Sequence, residues 1–444
     1  MRRGVSGGRG PVGCGVLALG WLALAVVRAS ATEPAGPTPA GVLSDCDGAI
    51  SEITLHYDHA VAEELAPLYR DLFAALADDV EIKVYCTSRE GAEVFRDRWG
   101  PAASRGGREV SVINVARPIT VWARDRYIAR QSPDLRRGSA GVVPAPSAEY
   151  EHYQLNELEM QDELRDLRLT PSFVRLPLAL EGGNVVANRR TVFTGTNVLA
   201  ENRVVASEPA VERELFEIFG REFLLVGDDF GEVPWCHIDM YLTPIDDRTL
   251  LIASPELGSE FLGLSCGDEI EEADETEDIR LPIELTGLID PACPSDFYQN
   301  ELDRIAESAE DNGYDVLRVP VVMNPGAGWM ITYNNVLMET RGDRKTAYVP
   351  IYRQPLLDDV AVEIYRRLGF TVHTVDVSKI YDLGGALRCI VNVTRRHHVG
   401  PRKVYASRRL RGRVRMIDLE RREMRRAAPG LRSDVSTRLL GRAA

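Results

Sequence analysis

No two of the seven cysteines stand in a C-x-x-C pair, which excludes a zinc ribbon and a thioredoxin-like redox motif. Positive charge is not in excess either. Lys and Arg number 53 against 67 Asp and Glu, a net charge of −14, and such a chain lacks the basic face of a general nucleic-acid binder. The apolar run VLALGWLALAVV, ending at Val27, is too short to span a bilayer. Glycine and proline recur with no fixed period, so the chain is not collagen-like, and 44% hydrophobic content is too high for wholesale disorder. What remains is an acidic globular chain of 444 residues, with material for one large domain or two to three ordinary ones.

The ends and one internal stretch differ from the rest. Arg2, Arg3 and Arg9 precede the apolar run, and Ala29-Ser30-Ala31 follows it in the small-x-small form that signal peptidase cuts. Residues 1–31 therefore read as a cleavable signal peptide, 32–45 as a flexible lead-in, and the mature protein as secreted or periplasmic, meeting the membrane only before cleavage. From Arg395 to Ala444 there are 16 basic and four acidic residues, so the tail carries +12 and the remainder −26. The Arg-rich part, 402–432, is expected to form a basic surface helix. An acidic insertion covers about 256–297, with GDEIEEADETED at its centre. Export permits disulfides. Cys266 and Cys293 bracket the insertion and could staple it, and Cys46 could pair with Cys86, leaving Cys236 and Cys389 as thiols.

Between 46 and 398 amphipathic helices alternate with β-rich runs. Helical spacing is clearest over 60–77 and recurs over 210–220, 300–313 and 356–369. Strand-like runs follow at 80–86, 222–227, 315–322 and 370–377. Gly313 and Gly369 stand where C-caps are expected. The alternation means an α/β protein.

Polar islands come after these strands: WARDR, EGGN, CHID, YNN and LGGALRC. Anchored on Asp125, Glu181, His237, Asn335 and Cys389, they lie 56, 56, 98 and 54 residues apart. Three intervals are nearly equal and the fourth exceeds them by about the length of the acidic insertion. Five structural repeats, with one insertion in the third, account for the spacing. If each repeat delivers its island to a common axis, five polar clusters meet.

Each island has a bland reading: an inert buried cysteine, a structural histidine, turn carboxylates, a turn amide. As a set they fit attack on a guanidinium carbon. Carboxylates match the paired N–H donors of a planar cation. A thiol at Cys389 becomes a nucleophile once a base or a positive charge activates it, and a cationic substrate supplies such a charge. His237 suits acid/base work near neutral pH, and in a strand it would share a face with Asp239. A metal hydrolase built on His237, Asp239 and Glu181 is the competing catalytic reading, and a silent arginine-binding propeller is the non-enzymatic one.

The ordered set, Trp122-Ala-Arg124-Asp125, Glu181-Gly182-Gly183, His237-Ile-Asp239, Tyr333-Asn-Asn335 and Gly384-Gly385-Ala-Leu-Arg388-Cys389, resembles the bacterial peptidyl-arginine deiminase and agmatine deiminase family over roughly residues 50–395. The resemblance implies the five-bladed α/β propeller (pentein) fold with pseudo-fivefold repeats and no metal or organic cofactor. It implies Cys389 as nucleophile and His237 as general acid, then base. Asp125 and Asp239 would clamp the guanidinium, with Trp122 beside it. Glu181 would bind a guanidinium nitrogen or orient His237, and Asn335 would support the site. Agmatine deiminases usually have His before the nucleophile; here it is Arg388. Because the signal sequence points to export, peptidyl-arginine is the expected substrate. Agmatine deimination and amidino transfer are the alternatives.

Overall fold

The computed structural model describes residues 41–131, 141–146, 151–170, 172–227, 233–262, 294–324, 329–397 and 413–418. Residues 1–31, expected to be a signal peptide, most of the acidic insertion with Cys266 and Cys293, and most of the basic tail lie outside the described residues.

The described residues form five sheets, and one pattern builds all of them. A strand pairs antiparallel with the next, the chain crosses over through helix, and a third strand returns parallel to the second. The second sheet runs Ile128–Ala129, Gly141–Ala145 and Phe173–Ala179, with helix Glu151–Asp166 in the crossover. The third runs Val185–Ala187, Thr191–Gly195 and Glu222–Val226, around helix Glu208–Phe219. The fourth runs Leu242–Pro244, Thr249–Ser254 and Asp315–Asn324, with Trp329–Thr332 added antiparallel. Its crossover is helices Pro255–Leu262 and Pro294–Asp311, so the insertion interrupts this crossover. The fifth runs Leu337–Arg341, Arg344–Ile351 and Phe370–Asp376, around helix Pro355–Arg367.

The first sheet takes its opening strand from the far end of the chain. Val391–His397 pairs antiparallel with Ala49–Tyr57, which runs parallel to Glu81–Cys86, which runs parallel to Glu109–Asn114. The two ends of the fold are thereby sewn together. Inner strands of neighbouring sheets also touch: Val391–His397 meets Ile128–Ala129, Val185–Ala187 meets Leu242–Pro244, and Leu337–Arg341 meets Ala49–Tyr57.

Helix Ala62–Ala75 shows why these residues form this layer. Leu65, Leu68, Tyr69, Leu72 and Phe73 recur at helical spacing and are all buried, where the helix lies beside Phe370–Asp376 of the fifth sheet and Tyr69 donates to His56 O in the first. Glu63 and Glu64 sit in the first turn, where negative charge favours the helix dipole. Gly313 and Gly369 have φ of 82° and 86°, the left-handed conformation that a chain leaving a helix requires.

Three sequence expectations are corrected. Residues 41–45 are not a flexible lead-in: Leu43 N–H donates to Ala129 O at 2.9 Å, Asp45 N–H to Ala187 O at 2.7 Å, and Val42, Leu43 and Ser44 are buried. Cys46 and Cys86 are both buried free thiols, not a disulfide. The basic tail does not form one helix over 402–432. Arg413–Asp418 is a strand lying parallel to Glu109–Asn114, on the open edge of the first sheet. An unpaired strand edge offers a full row of backbone partners, which a solvated helix does not.

Candidate active site

The five islands occupy one position in the repeat, immediately before the opening strand of each sheet. Asp125 precedes Ile128–Ala129, Glu181 precedes Val185–Ala187, His237 and Asp239 precede Leu242–Pro244, Asn335 precedes Leu337–Arg341, and Cys389 precedes Val391–His397. Backbone bonds join the islands directly. Gly182 N–H donates to Asp125 O at 2.9 Å and Arg124 N–H to Cys389 O at 3.2 Å. The glycines allow this closeness. A Cβ on Gly182 would stand 2.0 Å from Arg124 O, and one on Gly385 would stand 2.5 Å from the Trp122 ring.

Glu181 and His237 form a dyad. Glu181 Oε2 meets His237 Nε2 at 2.6 Å, while its Oε1 accepts from Gln154 Nε2 at 2.6 Å and from Arg126 Nη2 at 3.5 Å. Both oxygens are engaged, so of its two implied roles Glu181 has the geometry for orienting His237. Burial favours a neutral imidazole, but Cys236, Asp125, the Cys389 thiol and Glu181 together hold His237 protonated well above its ordinary range. Glu181 is raised by burial and lowered more strongly by His237 and Arg126, for a net depression.

Cys389 lies in the short helix Leu387–Ile390, and Asn335 holds that turn. The Asn335 amide oxygen accepts from Arg388 N–H at 2.7 Å and Cys389 N–H at 3.4 Å, and Nδ2 stands 3.4 Å from the Cys389 sulfur. Burial pushes the thiol up and the charge of Asp239 adds to this; His237 opposes. The site thus sets an imidazolium beside a thiol whose ionisation burial disfavours.

Two carboxylates complete the site. Asp125 Oδ1 and Asp239 Oδ1 are buried and have no hydrogen-bond partner, and both carboxylates act electrostatically on Cys389. Burial raises Asp125 to about 7, with His237 opposing and Glu181 adding. Asp239 differs from expectation in two ways. It lies in the single-turn helix Ile238–Met240, not in a strand, so its proximity to His237 does not come from strand alternation. Its Oδ2 is taken by Arg388 Nη1 at 2.6 Å, which leaves one carboxylate oxygen of the expected clamp instead of two.

One atom each from Asp125, Glu181 and His237 falls within 4.8 Å of the others, a spacing compatible with an ion. Both Glu181 oxygens are hydrogen-bonded, and Asp239, which the competing metal-hydrolase reading required, is paired with Arg388. The donor set is therefore that of an acid/base dyad beside a carboxylate.

Sequence reasoning missed several contributors. Arg388 and Asp45 bond each other across 343 positions, at 2.9 Å. Gln154 braces Glu181 from the second sheet's crossover helix, and Asn392 Nδ2 holds the Ala123 and Tyr127 carbonyls at 3.1 and 2.8 Å. Arg388 alone carried a signal, as the residue that replaces the family's histidine.

No protein-family profile and no curated protein matches this sequence. Solved structures do match in three dimensions. An agmatine deiminase of C. jejuni with its substrate bound is 16% identical, covers 79% of this chain and 95% of its own, and superposes with a TM-score of 0.53. An agmatine deiminase of Enterococcus faecalis is 14% identical, with coverage of 82% and 98% and a TM-score of 0.54. A protein provisionally called a peptidyl-arginine deiminase is 15% identical, with 81% and 99% covered and a TM-score of 0.54. Along nearly their whole length, the chain shares the α/β fold of these deiminases.

Proposed function

We propose that the chain is a five-bladed α/β propeller of the pentein type and a guanidine deiminase. It converts a guanidino group to a ureido group and ammonia, acting outside the cytoplasm on arginine in peptides. The observation that carries this reading is the pair of buried, unpartnered carboxylate oxygens on Asp125 and Asp239 beside Cys389 and His237. Orphaned buried acceptors are costly, and a planar N–H donor cation satisfies them.

The electrostatics support one order of events. Burial keeps Cys389 undissociated at rest; an incoming guanidinium lowers its pKa by direct attraction of the thiolate, and the thiol proton passes to solvent because His237 is already protonated. The thiolate attacks the guanidinium carbon, forming the C–S bond. His237 gives its proton to one nitrogen, the C–N bond breaks, and ammonia leaves. The neutral imidazole then takes a proton from water, whose oxygen attacks the thiouronium carbon. Breaking the C–S bond regenerates the sulfur and releases the urea, with the excess proton passing to solvent. Glu181 keeps the imidazole aligned through both halves.

The peptide substrate rests on the signal-like residues 1–31. Agmatine is the second reading, favoured by likeness to agmatine deiminases, one with substrate bound. Incubation with an arginine peptide, agmatine and free arginine, followed by ureido and ammonia assays, tests reaction and substrate together. We expect product from the parent, most rapidly on the peptide, none from Cys389→Ala with its fold intact, and no loss with EDTA. Unchanged turnover by Cys389→Ala, or abolition by EDTA, would refute the thiol mechanism. Transfer of the amidino group to an added amine would make the enzyme an amidinotransferase.

A further inference from the structure

Arg388 is buried, next to Cys389, and bonded through both of its terminal nitrogens. Its Nη1 donates to Asp239 Oδ2 at 2.6 Å, its Nη2 to Asp45 Oδ1 at 2.9 Å and Val185 O at 3.0 Å, and its backbone N–H to Asn335 Oδ1 at 2.7 Å. Asp45 is anchored in turn, for its Oδ2 accepts from Ala187 N–H at 2.8 Å. The charged and titratable groups facing the Cys389 sulfur are His237, Asp125, Asp239 and Tyr352. Those around the Arg388 guanidinium are Asp45, Asp239, Arg124 and Arg396. Arg124, also buried, directs its Nε and Nη2 to the Gly182 and Val185 carbonyls and its Nη1 to Asn392. Among the described residues, Arg388 is therefore the cation in direct contact with Asp239, the carboxylate whose charge opposes ionisation of the nucleophile.

We propose that Arg388 is a positioning residue of this site: it compensates the Asp239 carboxylate beside the Cys389 sulfur, leaves that carboxylate one oxygen for an incoming cation, and ties the segment around Asp45 to the nucleophile turn. The clause about the incoming cation rests on the proposed deiminase function. The compensation of Asp239 does not, and it is measured without substrate. A staple that only joined two chain segments would change stability when removed. A charge-compensating residue also changes the sulfur, and does so through Asp239.

The test is the pH dependence of Cys389 alkylation by iodoacetamide in the full chain, read on the Cys389 peptide by mass spectrometry. Arg388→Met is expected to raise the midpoint by about one pH unit, because an uncompensated carboxylate then faces the sulfur. Arg388→Lys, which keeps a charge but not the two-pronged geometry, returns at least half of that shift. In an Asp239→Asn background the Arg388→Met shift shrinks to less than a third, the non-additivity expected of two groups acting as one unit. Asp45→Asn removes a carboxylate from around the same cation and moves the midpoint down, which keeps the proposal testable should Arg388→Met fail to fold. An unchanged midpoint in folded Arg388→Met, an equal shift with and without Asp239, or an upward shift in Asp45→Asn would overturn it. Loss of deiminase activity across all substrates with these midpoints as expected would instead count against the proposed reaction alone.

Discussion

A single methyl group at Gly183 tests whether the placement of His237 matters to the chemistry. Gly183 lies in the turn after Glu181, and its φ is not in the left-handed region, so alanine strains no backbone torsion there. The added Cβ would stand 2.4 Å from His237 Nδ1 and 2.7 Å from Cγ, where ordinary contact begins near 3.4 Å. The imidazole must therefore retreat by about 1 Å. Retreat by that amount would stretch the 2.6 Å bond from Nε2 to Glu181 beyond hydrogen-bonding range. A 1 Å misplacement of a catalytic group costs roughly 100-fold in rate, or about 2.7 kcal/mol of barrier. The measurement is kcat for ureido formation on an arginine peptide and on agmatine, with the melting temperature recorded on the same sample. Glu181→Gln should lose activity through the same imidazole, so the double variant should be no worse than about threefold below the poorer single. Gly183→Ala with kcat within threefold of the parent would refute the reasoning. So would a loss matched by a fall in melting temperature, since displacement of one ring need not unfold the chain.

Two further outcomes follow from the charges and the topology. Asp125 ionises in the folded protein only near pH 7, whereas in an unfolded chain it would do so near 3.8. Its contribution to stability is full below the unfolded value and is lost as pH rises through about 7. A guanidinium ligand requires the ionised form, so agmatine binding to Cys389→Ala should weaken below pH 7, and Asp125→Asn should flatten that dependence in calorimetric titrations from pH 5.5 to 8.5. Ending the chain after His397 removes the strand Arg413–Asp418 from the first sheet's edge while leaving every island in position. The melting temperature should fall by about 2–4 °C for each kcal/mol of lost ladder, with kcat within twofold of the parent; a tenfold fall in kcat would show that the tail reaches the site.

What the sequence made legible follows from which forces act locally. Helix Ala62–Ala75 and strand Glu81–Cys86 were expected within two residues of their ends, because periodic burial is written in the chain itself. The islands were legible for a related reason: a repeated unit returns the same loop at a fixed interval. What escaped was decided by partners far along the chain. Residues 32–45 read as a flexible lead-in, yet Asp45 is held by Arg388 from 343 positions away. The charge pattern of the tail favoured a surface helix, and the open edge beside Glu109–Asn114 favoured a strand. H-x-D spacing suggested a shared strand face, whereas a helical turn sends His237 to Glu181 and Asp239 to Arg388.

Charge pairing explains why one carboxylate here is different in kind. Glu181 has His237 and Arg126; Asp239 and Asp45 share Arg388. Asp125 is as deeply set as these, but among the described residues no cation forms an ion pair with it, and its Oδ1 is unbonded. Burial raises Asp125 against the opposing charges of His237 and Arg126, whereas the directly bonded Asp45 and Glu181 are lowered. The fold thus bonds a cation directly to three of these carboxylates and leaves the fourth with His237 and Arg126 only at longer range, beside a thiol that positive charge helps to ionise. A single flat cation arriving between them would meet both needs at once. That coupling makes Asp125→Asn more informative than a simple loss of affinity: with the carboxylate gone, a bound guanidinium keeps its attraction for the thiolate, so KM should rise more than kcat falls. A variant in which kcat collapsed while KM stayed unchanged would mean that Asp125 acts on the reacting nitrogen rather than on the bound cation.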